Sequence, residues 1–208
     1  PLPPSVFVLA AANPPEQAAG GWDLSPPLAN RFCHLQWPVA ADEWVEGTLT
    51  GWPAPVIARL PANWEALVPA KAAVVAAFIK TRPHLLLAVP KNESEAGRAW
   101  PSPRSWTMAA RLLAAAAAAA VGEDVELQLI AGCVGEGAAM EFFSWRRELD
   151  LPDPESVLAA PDEFKLPKRG DQQYAVLASV VAAAVGKLTK ERWLAAWRVL
   201  ICSLPMRD

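Results

Sequence analysis

Apolar and polar positions fall into two regimes along the chain. Residues 5–12 (SVFVLAAA) are a short apolar run bounded by Pro4 and Asn13, a pattern that predicts a buried strand. Gly20 and Gly21 then allow a turn, and Asp23 or Ser25 can cap a short helix holding Leu28. Residues 32–37 (FCHLQW) suit a second strand. After Pro38 the spacing becomes helical. Helices are expected at 40–49, within 61–83 and ending before Pro83, at 106–121 with Ser105 as cap, at 124–132 and 136–149, and at 171–185 and 190–203 with Thr189 as cap. Most of the 21 prolines lie between these segments and help set the breaks.

Two isolated strands do not make a stable sheet, so the pattern reads as the end of an α/β domain followed by an all-α region. The expected division is 1–38 for the last strands and connecting helix of the α/β core, 39–97 for a helical linker or insert, 98–160 for a helical lid and 161–208 for a helical extension. An independent module with a small two-stranded element is the competing reading.

Composition narrows the chemistry. In 208 residues, 19 basic and 22 acidic side chains give a formal charge of -3, which supplies no electrostatic reason to expect nucleic acid or an acidic membrane as partner. The run MAARLLAAAAAAAVG is interrupted by Arg111 and is mostly alanine, a poor candidate for a span through ~30 Å of hydrocarbon. Cys33, Cys133 and Cys202 are widely spaced and form no metal-ligand pattern, and His34 and His84 are the only histidines. No metal ligand is assigned, and a reduced, cytoplasmic chain is expected. The ten tryptophans are scattered, and KLPKRG at 165–170 reads as a solvated charge patch.

Two stretches carry a family resemblance. LAAANPPEQAAGGWDLSPPLANRFCHLQW resembles the sensor 1 strand, following helix, arginine finger and last core strand of MoxR-like AAA+ ATPases, and AWPSPRSWTMAARLL resembles the start of their sensor 2 lid helix. The resemblance implies an oligomeric motor, a homo-oligomeric ring such as a hexamer, with ATP and Mg²⁺ between subunits. Such a motor couples hydrolysis to protein remodelling or metal-insertion assistance for a client. By the same resemblance Asn13 is the sensor 1 residue that orients water or touches the terminal phosphate. Arg31 is the finger reaching a neighbour's nucleotide, and Arg104 is sensor 2, binding phosphate in its own subunit. A guanidinium suits such roles because it stays protonated and presents a fixed fork of donors. Family members often carry Asp before the finger, where this chain has Asn30.

The phosphate-binding pattern Gly-x-x-x-x-Gly-Lys-Ser/Thr is absent, and neither Asp-Glu pair, at 42–43 or 162–163, ends an apolar strand. Walker A and Walker B functions must therefore come from an upstream core segment or a companion chain, and the chain alone is expected not to hydrolyse ATP. A non-catalytic helical adaptor, or a structural subunit with an ATPase-like surface, is the alternative.

Overall fold

The computed structural model describes residues 6, 8–13, 24–55, 57, 59–149 and 151–203. Ten α-helices occur among them: α1 (Pro26–Ala29), α2 (Ala41–Thr50), α3 (Val68–Thr81), α4 (Glu93–Ala96), α5 (Pro103–Ala118), α6 (Glu123–Val134), α7 (Glu136–Glu148), α8 (Pro154–Ala159), α9 (Gly170–Gly186) and α10 (Lys190–Cys202).

The expected α/β portion is overturned: the described residues contain no strand, and their regular structure is entirely helical. Residues 8–13 and 33–40 are irregular, with Leu9 95% and Trp37 92% exposed. A strand holds only when a neighbour pairs its N–H and C=O groups, and among the described residues no backbone hydrogen bond joins these two apolar runs. His34 finds a different partner. Its N–H donates to the Gly132 carbonyl at 2.7 Å, in the last turn of α6, where carbonyls have no intrahelical donor. The expected turn at Gly20 and Gly21 and the Asp23 cap lie outside the described residues.

The helical expectations hold for α2, α3, α6, α7, α9 and α10 to within a few residues. The helix expected at 106–121 begins earlier, at Pro103. Its cap is Ser102, which accepts from the Ser105 N–H at 3.1 Å while Ser105 Oγ accepts from the Ser102 N–H at 2.8 Å. Pro103 at the first helical position removes a donor that would otherwise be unpaired. Helix α8 forms in a stretch expected to be connector, with the Asp153 carboxylate capping the Ser156 N–H at 3.0 Å.

The main core is built from α3, α5, α6 and α7. Phe78 of α3 lies at its centre, with ring centroids 5.5 Å from Trp106, 5.3 Å from Phe142 and 5.4 Å from Trp145. The buried face of α5 is otherwise Ser105, Ala109, Ala110, Leu113, Ala114 and Ala116, so small side chains let α3 and α6 approach closely. A second cluster joins Val157 and Leu158 of α8, Val176 and Val180 of α9, and Val199 of α10. Helix α9 belongs to both cores, with Ala175 in the first and Val176 in the second. Helix α2 buries only Gly47, beneath the Trp52 ring, and leaves Trp44 and Leu49 exposed.

No helix among the described residues is long and apolar enough to cross a membrane.

Candidate functional site

The residue before Arg31, and not Arg31 itself, is the structural anchor of the ANRF stretch. Asn30 is 3% exposed at the end of α1. Its Nδ2 donates to the Trp100 carbonyl at 2.9 Å, and its Oδ1 accepts from Ser102 Oγ at 2.5 Å. Ser105 Oγ donates to the same Trp100 carbonyl at 3.0 Å. The Trp100 indole is buried and donates to the Ala96 carbonyl at 3.2 Å, which ties α4 into the joint. A buried amide uses both its donor and its acceptor here, so little desolvation cost is left uncompensated.

The segment is fixed again just beyond Arg31. The His34 ring approaches the Ala29 carbonyl at 2.8 Å, which places a hydrogen on Nε2, and the His34 N–H holds α6 as described. Gly132 allows this approach: a methyl group there would stand 2.5 Å from the His34 carbonyl oxygen.

Arg31 projects from this clamped segment into solvent. One of its donors, on Nη1, is bound by the Pro27 carbonyl at 2.6 Å, leaving the rest of the guanidinium fork open. Arg104 is exposed at the second position of α5. A cation there opposes the positive end of the helix dipole, a local imbalance that an anion would relieve. Neither arginine has a carboxylate partner among the described residues. Arg31 is one residue from Asn30 and Arg104 two residues from Ser102, so the Asn30–Ser102 bond joins the two short segments that carry them.

Asn13 makes no side-chain hydrogen bond to the described residues of this site. It is exposed in the irregular stretch 8–13, and the strand that was expected to aim its amide does not form.

The two arginines suit phosphoryl oxygens, but holding ATP and Mg²⁺ takes more. Among the described residues no group of three or more His, Cys, Asp or Glu converges as a metal site. Two concave sites among the described residues lie elsewhere. A cavity of about 300 Å³ is lined by Lys71, Arg146, Arg147 and apolar side chains, and Lys71 there is held below the ordinary lysine range by burial, with Arg146 adding to the effect and Glu126 opposing it.

Sequence reasoning missed Asn30 and Ser102. Asn30 was noticed only as a departure from Asp, and the Ser-x-x-Ser spacing of 102 and 105 was the available signal for a cap. Comparison with protein-family models, with curated proteins and with solved structures finds no match for this chain.

Proposed function

We propose that this chain is an arginine-donating helical part of a MoxR-like AAA+ ATPase assembly that uses ATP hydrolysis to remodel a client protein or assist metal insertion. The observation that carries the reading is the Asn30–Ser102 joint, which ties the ANRF stretch, with Arg31, to the PSPRS stretch, with Arg104. These are the two stretches on which the family resemblance rests. Arg31 is the finger and Arg104 the sensor on the lid helix. The phosphate-binding loop and metal ligands come from another segment or chain.

The test is ATP turnover by the complete assembly. Arg31→Ala is expected to lower turnover by about 10³-fold or more while nucleotide still binds, and Arg104→Ala to weaken nucleotide binding. Unchanged turnover in a correctly assembled Arg31→Ala variant defeats the assignment. The 208-residue chain alone is expected to turn over no ATP.

A second reading, a non-catalytic adaptor, is favoured by one feature. Trp193 and Trp197 of α10 stack edge to face at 5.9 Å, and both are half-exposed beside Leu194 and Ile201. Partner binding that is lost on Trp197→Ala and indifferent to Arg31→Ala and Arg104→Ala would support it.

A further inference from the structure

The segment carrying Arg31 runs on into a cysteine that the nucleotide reading does not use. Cys33 is half-buried and packs against the main core, which contains the buried Cys133 at the end of α6. Two hydrogen bonds and one close approach fix the geometry. The His34 N–H is bonded to the Gly132 carbonyl at 2.7 Å, Cys33 Sγ donates to the Leu129 carbonyl at 3.5 Å, and a methyl group on Gly132 would stand 2.9 Å from Cys33 Sγ. Residues 33–34 therefore lie directly beside residues 132–133, although one hundred positions separate the two cysteines in sequence. Cys202, on α10, is exposed and packs in neither core.

We propose that Cys33 and Cys133 are an oxidisable thiol pair, which a low-molecular-weight disulfide such as glutathione disulfide closes into a bond latching the 30–34 segment onto α6. The site stands without the nucleotide reading. Where that reading holds, closing the bond fixes the stretch that presents Arg31.

The thiol environments set the order of events. A hydrogen bond from Cys133 holds the Cys33 thiol below its ordinary range despite burial, whereas that bond and burial push Cys133 far above it. Cys33 is also the more accessible sulfur, so it attacks first. Its thiolate attacks one sulfur of the oxidant, the oxidant's S–S bond breaks, and the departing thiolate takes up the proton that Cys33 gave up. The mixed disulfide no longer carries the negative charge that opposed ionisation of Cys133. Cys133 then loses its proton, its sulfur attacks Cys33 Sγ, and the second glutathione leaves as a thiol. Two cysteine thiols are thus oxidised by two electrons, and the oxidant is reduced to two thiols.

The test is peptide mass spectrometry on the folded chain after exposure to glutathione disulfide, blocking of free thiols with N-ethylmaleimide and non-reducing digestion. The expected product is a Cys33 peptide joined to a Cys133 peptide within one chain, with Cys202 unlinked to either. It should vanish in Cys33→Ser and Cys133→Ser, persist in Cys202→Ser, and be reversed by dithiothreitol. Recovery of both Cys33 and Cys133 as alkylated thiols, even after the stronger oxidant diamide, overturns the proposal. So does linkage of either cysteine to Cys202. Because the pair is read in wild-type and Cys202→Ser protein, poor folding of the serine variants would not rescue it.

Discussion

The Asn30 side chain bridges to Ser102, accepting its hydroxyl hydrogen at 2.5 Å while donating to the Trp100 carbonyl at 2.9 Å. Asn30→Ala should take the acceptor from the buried Ser102 hydroxyl and one of two donors from the Trp100 carbonyl, and destabilise the fold by about 2 kcal/mol. Ser102→Ala removes a cap as well as the bridge and should cost about 1–2 kcal/mol. Asn30→Asp is not a neutral change, since a carboxylate can accept from Ser102 but cannot donate to Trp100. Urea unfolding of the two alanine variants and the double variant measures the coupling. Strictly additive losses would show that the two side chains do not act together.

Gly135, between α6 and α7, has φ 84° and ψ 154°, a conformation that side-chain-bearing residues avoid. A Cβ there would also stand 3.0 Å from the Ala99 carbonyl oxygen. Gly135→Ala should cost about 1–3 kcal/mol, seen as a lower urea midpoint with an unchanged slope. An unaltered midpoint would contradict the tight α6–α7 corner.

Gly132→Ala probes a different contact. A methyl group at this position meets the His34 carbonyl oxygen and Cys33 Sγ, so it should lift residues 33–34 off α6. Amide exchange at His34 should accelerate while exchange at Phe78, in the main core, changes little. Equal protection of His34 in the wild type and the variant would mean that the segment is not held by this helix end.

Asp171 links pH to stability. Burial would raise its carboxyl, but hydrogen bonds from Arg169, the Trp145 indole and the Gln172 N–H, with the Arg169 charge, leave it below its ordinary value. A carboxylate depressed in the folded state contributes fully above its unfolded value, about 3.9, and the contribution is lost as pH falls through the lower folded value. Asp171→Asn should therefore be less stable than wild type at neutral pH, with the gap closing as pH drops below about 4. A gap that stays constant across that window would remove Asp171 as its source.

The longer helices after Pro38 were legible because their signals are local. Thr189 capping α10, Pro83 stopping α3 and the apolar positions Val75 and Phe78 are all set by neighbours within one or two turns. The described parts of the apolar runs at 5–12 and 32–37 misled because an apolar run records a preference for burial but not a pairing partner, and a strand needs one. At the site, Arg31 and Arg104 were visible as residue types in a familiar spacing. The Asn30–Ser102 bond between them spans 72 positions, and neither side chain's burial is visible in its neighbours. Cys33 and Cys133 were read separately for the same reason.

The proposed nucleotide role requires Arg31 and Arg104 to bind phosphoryl oxygens from the two segments that the Asn30–Ser102 bond joins. The direct measurement is an NMR titration of the chain with tripolyphosphate at low salt, with uncharged adenosine as control. The expected result is saturable shifts confined to the amides of residues 29–34 and 102–106, absent with adenosine, reduced by each of Arg31→Ala and Arg104→Ala and lost in the double variant. Shifts that map to the basic stretch 165–170, or that survive the double variant at 29–34 and 102–106, would contradict it.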